Sequence, residues 1–181
     1  MYVSPLRRIL PLVLLATSVS AHGGTTPPSH PSGLSHVRSD IKLPALGEEV
    51  PLARIKEICA AYGLIELWAK IERDPPPRPF KSDGCTGWFD DWKGVSLYPA
   101  GFLHDLKYWA GYPGEEVERL IADAELMIDV ARLLNSTVMA ETMFHGVRVG
   151  GSEKLNASFS WAFGRRPLDA VLAVPQKSPA P

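Results

Sequence analysis

Within the apolar run Phe102-Leu103-His104-Asp105-Leu106-Lys107-Tyr108-Trp109, a base, a carboxylate and a phenol fall together. On a helix turning about 100° per residue, His104 and Tyr108 lie four apart and share a face, while Asp105 points about a third of a turn away. An imidazole suits proton transfer near neutral pH. A carboxylate with a different aim is available to a hard metal ion. Chance supplies His-Asp neighbours often, and a lone histidine in an apolar helix is more often a hydrogen-bonded core residue than a catalyst. The surrounding elements must therefore decide.

The helix carrying this run is expected from Pro99-Ala100 to the stop Gly111-Tyr112-Pro113-Gly114. A second long helix follows, with Glu115 and Glu116 in its first turn. Val117, Leu120, Ile121, Ala124, Met127, Ile128, Ala131 and Leu134 mark its apolar face, and Asp123 lies at the edge of that face. A carboxylate there needs a partner, and two antiparallel helices joined by a short turn supply one from His104 or Tyr108. A third helix is expected from Ser136 to Val149, closed by Gly150-Gly151. Its polar members, His145 and Arg148, read as surface or supporting residues. The aromatic segment Phe159–Arg165 packs back on the helices.

Upstream, Leu52, Ile55, Cys59, Tyr62, Ile65 and Trp68 repeat at threes and fours, giving an amphipathic helix interrupted at Gly63 and stopped by Asp74-Pro75-Pro76-Pro77. Between it and the His-Asp helix, Phe80 to Pro99 reads as an irregular loop. It is rich in Gly and Asp and stapled by Trp88, Phe89 and Trp92. Such loops turn carbonyls and carboxylates onto a cation such as calcium; a tight turn stapled by these aromatics, with no metal role, is the alternative. No EF-hand spacing is present.

The chain of 181 residues, 45% hydrophobic and 22% charged, has the balance of one globular domain. Arg7 and Arg8, the apolar run from Ile9 to Ala16 and the small residues ending at Ala21 have the layout of a cleaved secretory signal over residues 1–21. The protein is therefore expected to be exported, to a periplasm or outside the cell. Cleavage removes two of the 19 basic residues and none of the 20 acidic ones, for a formal charge of −3. Nothing in that balance points to nucleic acid. Residues 22–40, rich in Gly, Pro, Ser, Thr and His, read as a flexible leader, and 169–181 as a disordered tail. Cys59 and Cys85 are the two cysteines; export permits a bridge, and two buried thiols are the alternative.

Together, Ser82-Asp83-Gly84-Cys85-Thr86-Gly87, His104-Asp105-x-x-Tyr108-Trp109 and Arg119-x-x-Ala122-Asp123 resemble the phospholipase A2 superfamily, in particular its short prokaryotic and exported bacterial members. The resemblance is strongest from Phe80 to Asp129. It implies an all-α fold over residues 41–168, built on a pair of antiparallel helices with additional helices and an irregular metal-binding loop. The implied activity is calcium-dependent hydrolysis of a phospholipid acyl ester at a membrane surface. The resemblance makes His104 the general base, oriented by Asp123 with Tyr108 bonded to that carboxylate. Asp105, Asp83 and the Gly84 carbonyl become the calcium ligands. The sequence departs from the family where cysteines usually precede His-Asp and occur in the second helix: Ala100 and Gly101 hold the first place, and no cysteine follows Cys85. Two other readings are a catalytically silent exported module binding lipid or protein on the same scaffold, and a zinc hydrolase using His104, Asp105, Asp123 and His145. Against the zinc reading, no His-x-x-x-His ligand pair exists. The resemblance places His104 and Asp123 within hydrogen-bonding reach across antiparallel helices, with Asp105 facing the loop.

Overall fold

Hydrophobic periodicity and strong breakers divide the chain into helices close to the expected bounds. A computed structural model describes residues 41–85 and 87–167; the expected signal over 1–21, the leader over 22–40 and the tail over 169–181 lie outside the described residues. The upstream pattern forms two helices, α1 (Leu52–Ala61) and α2 (Ile65–Arg73), broken at Gly63 with φ 68°. The triple proline ends α2, since Pro75 forbids helical geometry at the residue before it. The expected loop contains a small hairpin, β1 (Asp91–Trp92) and β2 (Val95–Ser96), paired antiparallel. Its two turn residues, Lys93 and Gly94, both have positive φ, the backbone that a two-residue hairpin requires. The helices α3 (Tyr98–Ala110), α4 (Glu116–Leu134) and α5 (Thr137–Gly150) follow. Pro99 fits the first turn of α3, and the Ser136 side chain caps α5 by accepting from Met139 N at 3.4 Å. The described residues are therefore mostly helical, an all-α class with one two-stranded ribbon. No helix among them is long and apolar enough to cross a membrane.

Contacts fix the helix directions. Tyr108 reaches Arg119, His104 reaches Asp123, and Leu97 and Ala100 cluster with Leu126 and Val130, so falling numbers on α3 meet rising numbers on α4. The two run antiparallel. The same reasoning makes α4 and α5 antiparallel: Arg119 bonds the carbonyls of Val147 and Arg148, while Val130 packs with Ala140. Helix α3 is central, with nine of its 13 residues buried. Its Phe102, Leu103, Leu106 and Trp109 join α1, α2 and the Trp161–Phe163 segment in one hydrophobic cluster. Its Ala100, with Leu97 just before the helix, joins α4 and α5 in a second. The aromatic segment packs back as expected: Trp161 is fully buried, and Ala162 N donates to the Tyr108 carbonyl at 2.9 Å.

Two expectations are corrected. Part of the apolar stripe read as the buried face of α4 lies outward, with Val117 71% exposed, Leu120 45%, Ile121 49% and Ile128 39%, while Met127, Ala131 and Leu134 pack against the second hydrophobic cluster. Arg119, Ala122, Asp123, Leu126, Asp129 and Val130 face inward instead. The physical reason is that α3 presents His104 and Tyr108 to this helix. A buried polar group left without a partner costs about 1–3 kcal/mol, so the rotation that satisfies them prevails over a more apolar seam. Leu52 and Ile65, counted on the core face of the upstream helix, are likewise exposed.

Cys59 and Cys85 are separate free thiols rather than a bridge. Burial pushes both up to about 12, which keeps them protonated at neutral pH. The Cys85 sulfur instead lies where position 101 would meet it: a Cβ built on Gly101 would stand 2.9 Å from Sγ, with the Gly84 carbonyl oxygen at 3.1 Å. The missing side chain lets the loop lie directly on α3. Substituting Gly101→Cys is expected to form a bridge to Cys85 under oxidation. A loop of this length is worth about 3 kcal/mol, reduced by the tight Gly84 contact. Thermal unfolding with and without reductant measures it; a midpoint that reductant does not change would show that the loop is not held against α3 as described.

Candidate active site

Asp123 gathers the site. Its carboxylate is fully buried, and three side chains donate to it from two other helices. From α3, the Tyr108 hydroxyl donates to Oδ1 at 2.6 Å, and His104 Nε2 meets the same oxygen at 2.8 Å. From α5, Arg148 Nη1 donates to Oδ2 at 2.8 Å, and Arg119 Nε on α4 itself stands 3.8 Å from Oδ2. Burial alone would push this acid up. The bonds and charge from His104, with those from Tyr108 and Arg148, outweigh it and hold Asp123 below its ordinary value.

The carboxylate sets the histidine tautomer. An ionised Asp123 only accepts, so Nε2 carries the proton and Nδ1 the free lone pair. Burial holds His104 below its usual value against the pull of Asp123, which keeps the imidazole neutral at pH 7. Nδ1 has no hydrogen-bond partner among the described residues, yet it is not one of the occluded polar atoms. His104 lines a cavity of about 400 Å3 that is walled by Leu126, Met143, Val147 and Phe159 and reaches Asp105. A neutral base, oriented from behind and unpartnered in front, therefore borders an apolar pocket of small-molecule size.

Tyr108 is held as firmly as the histidine. It accepts from Arg119 Nε at 3.2 Å, and its ring lies 4.2 Å from the imidazole, centroid to centroid. Burial and the neighbouring Asp123 charge raise its pKa, so it remains a donor. Gly151, at the end of α5, leaves room for it: a Cβ there would stand 2.5 Å from the hydroxyl.

Asp105 faces the loop, away from Asp123. Its Oδ2 accepts from the Ser82 hydroxyl at 2.6 Å, and Ser82 Oγ in turn accepts from Gly84 N at 3.1 Å. Burial, and then the like charge of Asp83, raise Asp105 well above the usual carboxylate range; Ser82 and the Asp83 and Gly84 backbone pull the other way. Of the residues singled out in the sequence, His104, Tyr108 and Asp123 meet in one hydrogen-bonded group, and Asp105 meets the loop that carries Asp83 and Gly84. Ser82, part of the loop motif in the sequence, is the residue that ties the loop to Asp105. Arg119 and Arg148 were also present in the sequence; what was missing was the proximity of α5 to Asp123. Glu116 completes the cluster by pairing with Arg148 at 3.1 Å and Arg119 at 3.3 Å. His145 is exposed on α5 and stacks near Phe144. No group of three or more His, Cys, Asp or Glu side chains placed to hold a metal occurs among the described residues, so the four residues of the zinc reading do not assemble.

Removing Asp123 leaves Arg119 and Arg148 with Glu116 as their remaining carboxylate partner and His104 and Tyr108 without theirs, and Asp123→Ala is expected to destabilise the fold by about 3–5 kcal/mol in denaturant titration. The pH dependence follows from the same cluster. The folded chain resists protonating His104, whereas the unfolded chain protonates near the ordinary value of 6.5, so stability falls as pH drops below that value. The stability from ionised Asp123 is present above its ordinary value of 3.8 and is lost as pH falls through the lower folded value. His104→Gln should flatten the stability curve between neutrality and the lower histidine value; an unchanged slope would count against a buried neutral imidazole. Compared with protein-family models, characterised proteins and solved structures, the chain has no match, and the reading of this site rests on its own geometry.

Proposed function

We propose that the protein is an exported hydrolase of phospholipase A2 type that cleaves an acyl ester of a phospholipid with calcium as cofactor. One observation carries the reading: His104 is oriented through Nε2 by a buried carboxylate, and its unpartnered Nδ1 belongs to a side chain lining an apolar cavity. In the proposed reaction a water gives its proton to Nδ1 while its oxygen attacks the acyl carbonyl carbon. The imidazolium is stabilised by Asp123, and the proton returns to the departing alkoxide as the ester bond breaks. Tyr108 and Arg148 keep the Asp123 carboxylate in place through the cycle. The apolar cavity walls bind the acyl chain and exclude bulk water.

The loop site suits a hard cation by its chemistry. Asp105 is a largely enclosed carboxylate near a second carboxylate, Asp83, and its hydrogen-bond donors, the Ser82 hydroxyl and the Asp83 and Gly84 backbone, are all neutral. Asp105, Asp83 and the Gly84 carbonyl form an all-oxygen set, the kind calcium prefers. These residues would hold calcium, which would supply a countercharge and Lewis-acid polarisation there. A second reading, the catalytically silent lipid- or protein-binding module, is favoured by the Ser82–Asp105 bond, because the same contact staples the loop to α3 without any metal.

Fatty-acid release from phospholipid vesicles separates the two. Loss of about 100-fold or more in kcat is expected for His104→Ala, the range for removing a general base, and chelator is expected to abolish turnover. Turnover surviving both would overturn the mechanism, and folded protein inactive on every lipid would favour the silent module. Metal binding has its own readout. The raised Asp105 prefers its proton, a preference lost as pH rises through the folded value, and calcium competes with that proton. Calcium is therefore expected to raise the thermal midpoint more at pH 8 than at pH 5, and not at all in Asp105→Asn. A midpoint insensitive to calcium at both values would remove Asp105 from the metal set.

A further inference from the structure

A second cavity, of about 480 Å3, adjoins the His104 pocket. Phe159 lines both, and the loop passes from one to the other: Ser82 and Asp83 border the second cavity, Gly84 and Cys85 the first. Their chemistry differs. The first is walled by aliphatic and aromatic side chains beyond His104 and Asp105, whereas the second carries Arg78, Lys81 and Ser158. Arg78 spends one donor, Nη1, on the Phe163 carbonyl at 3.1 Å, and no carboxylate lies within ion-pair distance of its guanidinium among the described residues. Lys81 pairs with Glu49 at 3.6 Å, with both side chains more than half exposed. An exposed pair of that kind holds its partner weakly and leaves the ammonium free to reach a ligand.

We propose that this cavity is a subsite for a phosphate headgroup, held by Arg78 and Lys81, so that an anionic amphiphile lies across Phe159 with its chain in the first cavity. The inference rests on the proposed ester hydrolysis for its orientation, not for its test. A guanidinium fork and a mobile ammonium approach a tetrahedral phosphate from different directions, and the Ser158 hydroxyl is a third donor in the same cavity. Asp83 is the one carboxylate among the lining residues and opposes an anion. Its neutralisation, by Asp83→Asn, is expected to tighten headgroup binding.

The test is calorimetric titration of the full chain, in chelator and without turnover. The probes are octanoyl lysophosphatidic acid and monooctanoyl glycerol, which share a chain and differ in the phosphate. The wild type is expected to bind the phosphate-bearing probe at least tenfold more tightly. Lys81→Met should reduce that preference about threefold, and Arg78→Met with Lys81→Met should abolish it while leaving affinity for the neutral probe unchanged. Equal binding of the two probes by the wild type, or a preference surviving in the folded double variant, would overturn the subsite. If the double variant does not fold, Lys81→Glu decides alone: a preference undiminished by that charge reversal overturns the subsite equally. Competition by millimolar inorganic phosphate against the charged probe alone would show recognition of phosphate as such. A preference lost in the variants but untouched by inorganic phosphate would show recognition of the headgroup only when tethered to its chain. Because no turnover is measured, failure of lipid hydrolysis and failure of this subsite are separate results.

Discussion

A carboxylate at zero exposure is the constraint around which three helices are arranged. Asp123 sits between Ala122, which packs in one hydrophobic cluster, and Leu126, which packs in the other, so it lies where the two clusters meet. Withdrawing such a charge from water costs several kcal/mol unless donors and opposite charge replace the lost hydration. Tyr108 and His104 from α3 and Arg148 from α5 supply them, and Arg119 links the set by bonding both the Tyr108 hydroxyl and the last carbonyls of α5. Each helix direction and rotation near the site follows from that demand. The outward turn of Val117, Leu120, Ile121 and Ile128 on α4 is one result of it.

The two acids of the site are driven apart by their surroundings. Asp123 is surrounded by cations and donors and is held ionised, while Asp105, desolvated against the loop, has the like-charged Asp83 nearby and is pushed toward its neutral form. Divergent shifts of neighbouring acids are a mark of divided labour. One carboxylate already has its countercharge inside the protein and serves to hold a base. The other lacks one and suits an added cation. Placing them behind and beside the same imidazole gives a single residue run, His104-Asp105, two independent electrostatic environments.

Much of this was legible in the chain. Breakers at Gly63, Asp74-Pro75, Gly111 to Gly114 and Gly150-Gly151 set the helix ends closely, because proline, glycine and capping chemistry act over one or two positions. The His104, Tyr108 and Asp123 grouping was legible because four-residue spacing on one helix and a short turn to the next leave few arrangements. The face of α4 was not. Periodicity counts apolar residues and assigns the greasier side to the core, but here the buried side holds Arg119, Asp123 and Asp129. Only the partner helix explains that choice.

The sequence by itself determined the helices, their short connections and the residue types able to carry proton transfer, since these depend on backbone geometry and local spacing. Tertiary structure alone decided that Arg148, 25 residues along the chain from Asp123, completes its shell. It also kept Cys59 and Cys85 apart, and it gave the loop at Ser82 to Gly84 contact with Asp105. The reason is common to all three. The free energy of a buried charge or thiol depends on which groups from distant elements replace its water, and no local pattern in the chain encodes that neighbourhood.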